Sequence, residues 1–471
     1  MLFERFEDQG LAQYSYAVGC PGSGKIAIVD PRRDVDVYLQ FAHEQGLTIS
    51  HVLETHIHAD YASGARELAE RTGAEHLVSA YDAGETFEVT FPHRDFFDGE
   101  SIEIGAVRIE ALHTPGHTPE HLSFLVYDQA RSAETPMLML SGDFLFVGSL
   151  GRPDLLGEAQ TRALAERLYA SVREKLAPLP DGLEIHPAHG AGSLCGSGMS
   201  GRPVSTLGFE RIANPYLDPR LTRDEFIDKL LATTPPFPAY YRRMKRVNAE
   251  GPTLLHGLPG LEAIEAEEFH RKVESGHVVI DLRDQLAFGG GHIPGSFGIG
   301  GGTNLSTWAS WVVPYDRPIL LVPKDSDDPR QVEEAVRALV RVGLDDVRGH
   351  LEGGIAAWRN AGFPLSETAQ TTPPQLREAL RSDEAPRVLD VRSDQEWESG
   401  HIEGALHIFG GDLAKRLDEL PRNGHGLALV CGSGYRSTVA ASVLERAGFR
   451  NLVNVTGGMG AWERAGLPTA R

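Results

Sequence analysis

The first half of the chain places histidine and aspartate residues at the ends of four apolar runs. In chain order they are His56, His58, Asp60, His117, Asp143 and His189. Imidazole and carboxylate groups bind divalent transition metals, and ligands from separate loops can converge on one ion. Any one of these histidines could simply cap a loop, but the ordered set predicts a metal centre.

A second candidate centre surrounds Cys431, which follows an apolar run and precedes a Gly-rich loop and a segment with helical periodicity. A sulfur at the start of a helix faces backbone N–H groups and the positive end of the helix dipole, and Arg436 adds a positive charge. These features favour the thiolate, so we predict that Cys431 is a nucleophile. The loop residues expected to bind its substrate are Gly432, Ser433, Gly434, Tyr435 and Ser437.

The elements that must position the first centre are short strands and helices. Strands are predicted over 26–30, 51–55, 107–111 and 137–140, and helices over 34–44 and 62–71. The histidines then fall where strands end and loops begin, which is where α/β enzymes place their chemistry.

The second half of the chain contains an internal repeat. The segments VIDLR, GHIPG and GGIAAW recur as VLDVR, GHIEG and GGMGAW, roughly 100 residues farther along. Solenoid repeats run to about 20 to 50 residues, so this longer period predicts a duplicated domain. Within each copy, β-branched runs alternate with helical stretches, which is typical of a parallel sheet covered by helices.

Length and pattern together predict three α/β domains, because 471 residues are too many for a single core. We place them at residues 1–250, 255–366 and 370–471, with boundaries near residues 250 and 368.

Composition excludes several function classes. A formal net charge of −21 disfavours nucleic acid and anionic membranes as partners. No apolar run approaches the roughly 18 residues of a membrane span, and the charged amino terminus does not resemble a signal peptide, so a cytoplasmic location is expected. Cys20, Cys195 and Cys431 are too few and too scattered for a disulfide framework. The P-loop-like segment 19–25 has Ile26 at the magnesium-binding position, which predicts a β-hairpin turn instead.

The ordered histidine and aspartate set resembles the metallo-β-lactamase superfamily, whose signature is HxHxDH, a later His, a bridging Asp and a last His. The resemblance covers roughly residues 1–250 and implies an αββα sandwich with the metal in the cleft between its sheets. Tyr61 stands where the signature has its second DH histidine. That departure argues against a two-metal hydrolase.

Within that superfamily, resemblance to the persulfide dioxygenases implies one Fe(II) per chain, bound by His56, His117 and Asp143. Two histidines and one carboxylate leave positions for O₂ and a sulfur ligand. The remaining members of the set would orient ligands or waters, although His58 could itself be a ligand. They are His58, Asp60 and His189.

Two further segments bear on the substrate of the metal centre. Residues 142–155 resemble the GD and GRxD motifs of the dioxygenases, which implies that Arg152 fixes a carboxylate near the metal. The basic and aromatic tail around Tyr241, Arg242 and Arg243 could bind the carboxylates or phosphates of glutathione or coenzyme A. Alternatively, this tail starts an amphipathic helix that packs against the sandwich.

The loop CGSGYRS, with the repeated segments around it, resembles the rhodanese family over about 100 residues. The resemblance implies that Cys431 carries a sulfane sulfur and that Cys431 and Arg436 are catalytic. In the first copy Pro323 stands where Cys431 stands in the second, so that copy is expected to be non-catalytic.

These resemblances imply an enzyme of sulfide detoxification. It would oxidise a low-molecular-weight persulfide with O₂ to sulfite and transfer sulfur through a cysteine persulfide, giving thiosulfate. A zinc-dependent thioester hydrolase of the glyoxalase II type fused to a sulfurtransferase is the main alternative, and a sulfur carrier with a vestigial metal domain is a third. A homo-oligomer is expected from the superfamily resemblance.

Overall fold

The computed structural model describes residues 1–422 and 426–471, which form two compact units. One comprises Met1–Gly257 with Val340–Gly343, and the other comprises Leu258–Leu339 and Leu344–Arg471. Within the residues described, no helix is both long and apolar enough to cross a membrane.

The first unit contains two facing β-sheets. The strands of one follow chain order: Leu2–Asp8, Gln13–Cys20, Lys25–Val29, Thr48–Leu53, Glu75–Ser79 and Arg94–Phe96. The strands of the other lie in the spatial order Ser205–Thr206, Glu184–Pro187, Leu138–Gly142, Leu122–Asp128, Val107–His113 and Ser101–Ile104. A short ladder joins Leu145–Phe146 to Ser149–Leu150.

Apolar side chains from both sheets meet in one core. Val18 and Val29 of the first sheet pack in the same cluster as Phe124 and Leu140 of the second. The outer faces are covered by helices, which are Asp36–Gln45, Ala65–Thr72, Glu158–Glu174, Leu207–Ala213, Arg223–Thr233 and Tyr241–Glu250. This arrangement of helix, sheet, sheet and helix confirms the predicted αββα sandwich.

Two local predictions can be compared with the structure. The helix predicted over 62–71 begins only at Ala65, because Ser63 N donates to Asn248 Oδ1 and Gly64 N donates to a loop carbonyl. The P-loop-like segment is a hairpin turn, as predicted: Gln13–Cys20 and Lys25–Val29 pair antiparallel on either side of it.

The second unit repeats one parallel sheet. The first copy has the strand order Ala263–Ile264, Val347–Leu351, Ile319–Val322, Val278–Asp281 and Phe297–Gly298. The second copy has the order Ala369–Thr371, Leu452–Val455, Leu427–Val430, Arg387–Asp390 and Leu406–His407. Corresponding strands occupy corresponding places, which confirms the duplication and the parallel-sheet fold.

Helices cover both of these sheets. Those of the first copy are Ala266–Glu274, Gln285–Gly289, Leu305–Val312, Pro329–Arg341 and Gly354–Asn360. Those of the second are Pro373–Ala379, Asp394–Ser399, Tyr435–Arg446 and Gly458–Arg464, with 3₁₀ turns at Gly410–Lys415 and Leu417–Glu419.

The repeated DxR motif has a structural explanation. Arg392 binds the Asp390 carboxylate through Nε and Nη2 at 2.7–3.0 Å and donates to the Gly400 carbonyl at 2.7 Å. Arg283 is bound in the same way in the first copy. Each arginine thus connects the end of the strand before it, Val278–Asp281 or Arg387–Asp390, to the Gly-His-Ile loop that follows.

Strand register relates the two copies at the position of the cysteine. Ile319–Val322 pairs with Val278–Asp281 in the first copy, and Leu427–Val430 pairs with Arg387–Asp390 in the same register in the second. The next residue is Pro323 in the first copy and Cys431 in the second. This is the equivalence expected from the sequence.

Candidate functional site

Three buried side chains from separate loops of the first unit converge on one point. His56, His117 and Asp143 each offer a ligand atom, and these atoms lie within 4.8 Å of one another. The preceding strands are, in that order, Thr48–Leu53, Val107–His113 and Leu138–Gly142. The fold therefore brings together the three residues that the dioxygenase resemblance singled out.

The hydrogen bonds of these side chains fit a bound cation. His56 Nε2, His117 Nε2 and Asp143 Oδ2 are buried and have no hydrogen-bond partner among the described residues. Asp143 Oδ2 lies 3.8 Å from the first of these nitrogens and 3.4 Å from the second. Buried polar atoms without partners are unfavourable, so three of them facing one another indicate a metal site.

The outer nitrogens of both histidines are held as donors. His117 Nδ1 donates to the Arg152 carbonyl at 2.8 Å. His56 Nδ1 lies 2.9 Å from Thr55 Oγ1, whose own proton goes to a carboxylate, so the imidazole must be the donor here too. Each Nε2 therefore keeps its lone pair, which is the form that a metal ligand needs.

Burial supports the same protonation state. Burial, followed by the charge of neighbouring histidines, holds the pKa of His56 and of His117 well below the ordinary value. Neutral imidazoles bind metals without first losing a proton. Two neutral imidazoles and one carboxylate suit non-haem iron.

Two further residues of the signature, His58 and Tyr61, contact Asp30. His58 Nε2 lies 3.2 Å from Asp30 Oδ1, and His58 is not part of the convergent group. Tyr61 is buried, packs on the His58 ring and donates its hydroxyl proton to the Asp30 carbonyl at 3.2 Å. The position that usually supplies a second-metal ligand is thus occupied by a tyrosine engaged with the protein.

A second buried group, Asp60, His189 and Cys195, lies beside the first. His189 stands between two carboxylates, with Nδ1 2.7 Å from Asp143 Oδ1 and Nε2 2.7 Å from Asp60 Oδ2. Burial lowers the pKa of His189, but the two carboxylates raise it more, so it ends well above the ordinary value. His189 Nδ1 thus holds Asp143, whereas Nε2 has no partner of hydrogen-bond geometry among the described residues and belongs, with Asp60 and Cys195, to a second group of candidate ligand atoms.

Arg152 and the tail form the outer part of this region. Arg152 is buried and binds both oxygens of Asp154 at 2.6 and 2.7 Å, and it also donates to the Pro235 carbonyl at 2.8 Å. A pocket of about 520 Å³ opens beside them, lined in part by Phe237 and Arg242. Arg152 therefore holds the tail against the domain that carries the metal ligands.

The helix Tyr241–Glu250 divides the predicted tail residues. Tyr241 is buried and its hydroxyl lies 3.7 Å from Cys195 Sγ, whereas Arg242 and Arg243 are exposed. Both interpretations of the tail therefore have support, because the helix packs against the sandwich and presents one cation, Arg242, at the pocket.

Lys245, the third cationic residue of the predicted tail, faces inward on this helix. Lys245 is buried, donates to the Ile57 carbonyl at 2.8 Å and lies 3.7 Å from Glu120. The spacing of Tyr241 and Lys245 is helical and could have indicated one inward face.

The cysteine loop of the second unit surrounds a buried sulfur. Cys431 Sγ accepts a hydrogen bond from Gly434 N at 3.1 Å and lies 3.4 Å from Ser437 Oγ. Gly434 caps the helix Tyr435–Arg446 with a positive φ of 106°, a conformation that favours glycine. The sulfur thus faces a helix amino terminus.

The other loop residues lie around this sulfur. Ser433 is exposed, while Gly432 and Tyr435 are half-buried, and the Tyr435 hydroxyl donates to the Gly300 carbonyl of the first copy at 3.1 Å. The Arg436 guanidinium binds Glu396, a residue that sequence reasoning missed. Glu396 is the last residue of a Ser-x-x-Glu capping box. That motif predicts the start of a helix but not the contact with Arg436.

Comparisons with known families match each part of the chain. The family described as "Metallo-beta-lactamase superfamily" matches residues 8–189. The family described as "Rhodanese-like domain" matches residues 265–361 and again 372–465. These matches confirm the resemblances stated for the first half and for the repeat.

Individual relatives of the first half include a persulfide dioxygenase and a hydroxyacylglutathione hydrolase. The chain is 30% identical over 239 residues to the mitochondrial persulfide dioxygenase ETHE1 of Bos taurus, which covers 49% of this chain and 81% of that protein. It is 29% identical over 208 residues to the hydroxyacylglutathione hydrolase GloC of Haemophilus influenzae, which covers 41% and 87%. A crystal structure of a metallo-beta-lactamase from Staphylococcus aureus has a TM-score of 0.65 and 35% identity over 74% of this chain and 98% of that one. The chain belongs to the metallo-beta-lactamase superfamily and joins a domain homologous to persulfide dioxygenases with two rhodanese-like domains.

Proposed function

We propose that this protein is an iron-dependent persulfide dioxygenase with a rhodanese-type sulfurtransferase activity. It oxidises the persulfide of a low-molecular-weight thiol, of the glutathione or coenzyme A type, with O₂ to sulfite. It also transfers sulfane sulfur through Cys431, giving thiosulfate when sulfite is the acceptor. The dioxygenase activity is proposed on one observation: His56, His117 and Asp143 each direct a buried ligand atom without a hydrogen-bond partner toward the same point.

Iron bound by these three residues would activate O₂ and the persulfide sulfur in the same site. The protein contributes the surroundings. The Arg152 carbonyl orients His117, and His189 holds Asp143 from the other side. The burial of all three ligands keeps bulk water away, and the exposed Arg242 at the pocket is placed to attract a carboxylate of the thiol carrier.

The sulfurtransferase step needs only the cysteine loop. The Cys431 sulfur attacks the outer sulfur of a donor, a new S–S bond forms, and the donor leaves with the electron pair of the broken bond. An acceptor such as sulfite then attacks the outer sulfur, and the electron pair of the Cys431 S–S bond returns to Sγ. Gly434 N is the donor that stabilises this returning charge. The first copy, with Pro323 at the cysteine position, is proposed to be non-catalytic.

A zinc-dependent thioester hydrolase fused to a sulfurtransferase is the second candidate, because the chain is also similar to a hydroxyacylglutathione hydrolase. That reaction usually employs two metals. The side chain of Tyr61, which is engaged with the Asp30 carbonyl, opposes a second ion.

Metal analysis of anaerobically purified protein, combined with O₂ uptake on glutathione persulfide, separates the two candidates. We expect about one iron per chain and consumption of O₂. His117→Ala should lose both, whereas His113→Ala, at a nearby strand end outside the cluster, should keep both. Two zinc ions per chain with thioester cleavage would support the hydrolase instead.

The division of labour between the two centres is tested with Cys431→Ser. This variant should lose sulfur transfer and keep O₂ uptake, while Cys20→Ser should keep both. Loss of both activities in folded Cys431→Ser would contradict two separate centres.

A further inference from the structure

A network of polar side chains lies behind the Cys431 sulfur. Ser437 Oγ is 3.4 Å from Cys431 Sγ and 2.6 Å from Asn454 Oδ1. Asn454 lies on the strand Leu452–Val455 and is fully buried. Its other end, Nδ2, lies 3.1 Å from Gln370 Oε1. Asn454 is buried and does not hydrogen-bond to the loop sulfur; it reaches Cys431 through Ser437 and also contacts the carbonyl of Gly434 at 3.4 Å.

The neighbours of Asn454 determine which way its amide group faces. Nδ2 lies 3.1 Å from Thr438 Oγ1 and 3.4 Å from the Gly434 carbonyl. Thr438 already donates its only hydroxyl proton to that carbonyl at 2.9 Å, so both oxygens can only accept. A reversed amide would place its oxygen against two acceptors. Asn454 Oδ1 therefore faces Ser437 and takes the Ser437 hydroxyl proton.

The hydrogen bond from Ser437 Oγ to Asn454 Oδ1 determines whether Ser437 turns a proton or a lone pair toward the Cys431 sulfur. A hydroxyl group has one proton, so with that proton on Asn454 the side of Ser437 Oγ toward Cys431 carries a lone pair. A lone pair accepts the S–H of a thiol and tolerates a neutral sulfur, but it repels a negative charge on the same atom. Arg436 and Glu396, two charged side chains beside the loop, are paired with each other.

We infer that Asn454 is a positioning residue that favours the Cys431 persulfide over the bare thiolate, an inference that rests on the proposed sulfurtransferase function. In the persulfide the negative charge lies on the outer sulfur and Sγ is neutral. When an acceptor attacks the outer sulfur, the electron pair of the S–S bond moves onto Sγ, and Ser437 cannot donate to it. Release therefore depends on a strong nucleophile, and Cys431 holds its sulfur until one arrives.

The test uses the full-length protein with Ser437→Ala and Asn454→Leu. Ser442→Ala is the matched control, because Ser442 is buried on the same helix and donates only to the Val439 carbonyl. Two rates are measured at pH 7: alkylation of Cys431 by iodoacetamide, followed by mass spectrometry of its peptide, and discharge of the thiosulfate-loaded enzyme by cyanide.

We expect both rates to rise in the order wild type, Ser437→Ala, Asn454→Leu. Without Asn454 the hydroxyl of Ser437 is free to donate to the sulfur, and one such hydrogen bond corresponds to about a fivefold change. Ser442→Ala should match the wild type.

Slower alkylation in Ser437→Ala would overturn the inference, because it would show that Ser437 donates to the thiolate. Ser437→Ala removes a single oxygen atom, so it still tests whether Ser437 donates to the thiolate if Asn454→Leu does not fold. A wild-type protein that forms no Cys431 persulfide from thiosulfate or glutathione persulfide would instead refute the proposed sulfurtransferase function.

Discussion

The guanidinium of Arg436 is bound by Glu396 through two hydrogen bonds, Nη1 to Oε2 at 2.6 Å and Nη2 to Oε1 at 2.7 Å. Burial would raise the pKa of Glu396, but the bonds and charge of Arg436 outweigh it and lower the pKa to about 2. Glu396 is therefore ionised at neutral pH. Much of the positive charge at the mouth of the cysteine loop is neutralised by this partner.

Glu396→Gln should leave the charge of Arg436 uncompensated. We expect KM for thiosulfate, a dianion, to fall about three- to tenfold with a smaller change in kcat, and the effect to shrink as salt is added. Thiosulfate:cyanide transfer kinetics at two ionic strengths measure this. Glu398→Gln, exposed on the same helix, is the control. A higher KM would mean that the main role of Glu396 is to position Arg436 for binding thiosulfate and not to neutralise its charge.

Asp30 holds the loop that carries His56. Its carboxylate accepts from Thr55 N at 2.7 Å and from Thr55 Oγ1 at 2.9 Å, and it lies 3.2 Å from His58 Nε2. Asp30→Asn preserves a residue type that tolerates the local φ of 51° but replaces one acceptor oxygen with a donor.

We expect Asp30→Asn to weaken metal binding about 10- to 100-fold, because such supporting contacts orient the ligands. Iron retention against a chelator measures the change, with circular dichroism to establish folding. Asp36→Asn, at a helix start where Asp36 is half-buried and accepts from Arg71, should retain iron like the wild type. Unchanged retention in folded Asp30→Asn would show that the trio is positioned without this carboxylate.

The buried pair of Asp390 and Arg392 predicts a large effect on stability. Asp390→Ala leaves Arg392, which is 4% exposed, with its charge buried and unpaired. Loss of one partner of a buried pair costs about 3–5 kcal/mol. Urea unfolding of the full chain should show an earlier transition for the second unit, and the exposed Asp418→Ala should not shift it. A shift no larger than that of the control would mean that Arg392 finds another partner.

The parts of the fold that follow from local motifs could be predicted from the sequence. Trp358 Nε1 donates to the Pro364 carbonyl and Trp462 Nε1 to the Pro468 carbonyl, each at 2.9 Å. Partners this close in sequence form one motif, so its recurrence indicates a repeated domain. The strand-end positions of the candidate ligands were likewise visible, because an apolar run followed by a polar residue marks the end of a strand.

The parts that depend on distant partners could not be predicted. Lys245 meets the loop of His56 across 188 residues, and Glu396 meets Arg436 across 40. Residue type did not separate His56 from His58, because that distinction depends on which imidazole Asp30 engages. The assignment of roles within the metal cluster therefore remains a prediction, as do the domain boundaries near residues 250 and 368.

A contact between the two rhodanese-like domains provides a pH-dependent prediction. His292 of the first domain is buried, and its Nε2 lies 2.8 Å from Glu445 Oε2 on the helix that begins at the cysteine loop. Burial raises the pKa of Glu445, but the hydrogen bond and charge of His292 lower it more, so the net shift is downward. A carboxyl group whose pKa is lowered by folding stabilises the folded state above its unfolded value, about 4.3, and that contribution is lost as pH falls further.

Glu445→Gln should therefore destabilise the second unit at pH 7 and differ progressively less from the wild type below about pH 4.3. Urea midpoints of the two proteins at several pH values measure this difference. Glu463→Gln, an exposed carboxylate on the helix Gly458–Arg464, should match the wild type throughout. Because Glu445 and the cysteine loop share a helix, sulfur-transfer rates should fall in parallel with the lost stability. If the difference between the two urea midpoints stayed the same at every pH measured, including values below about 4.3, Glu445 would act through packing and not through its charge.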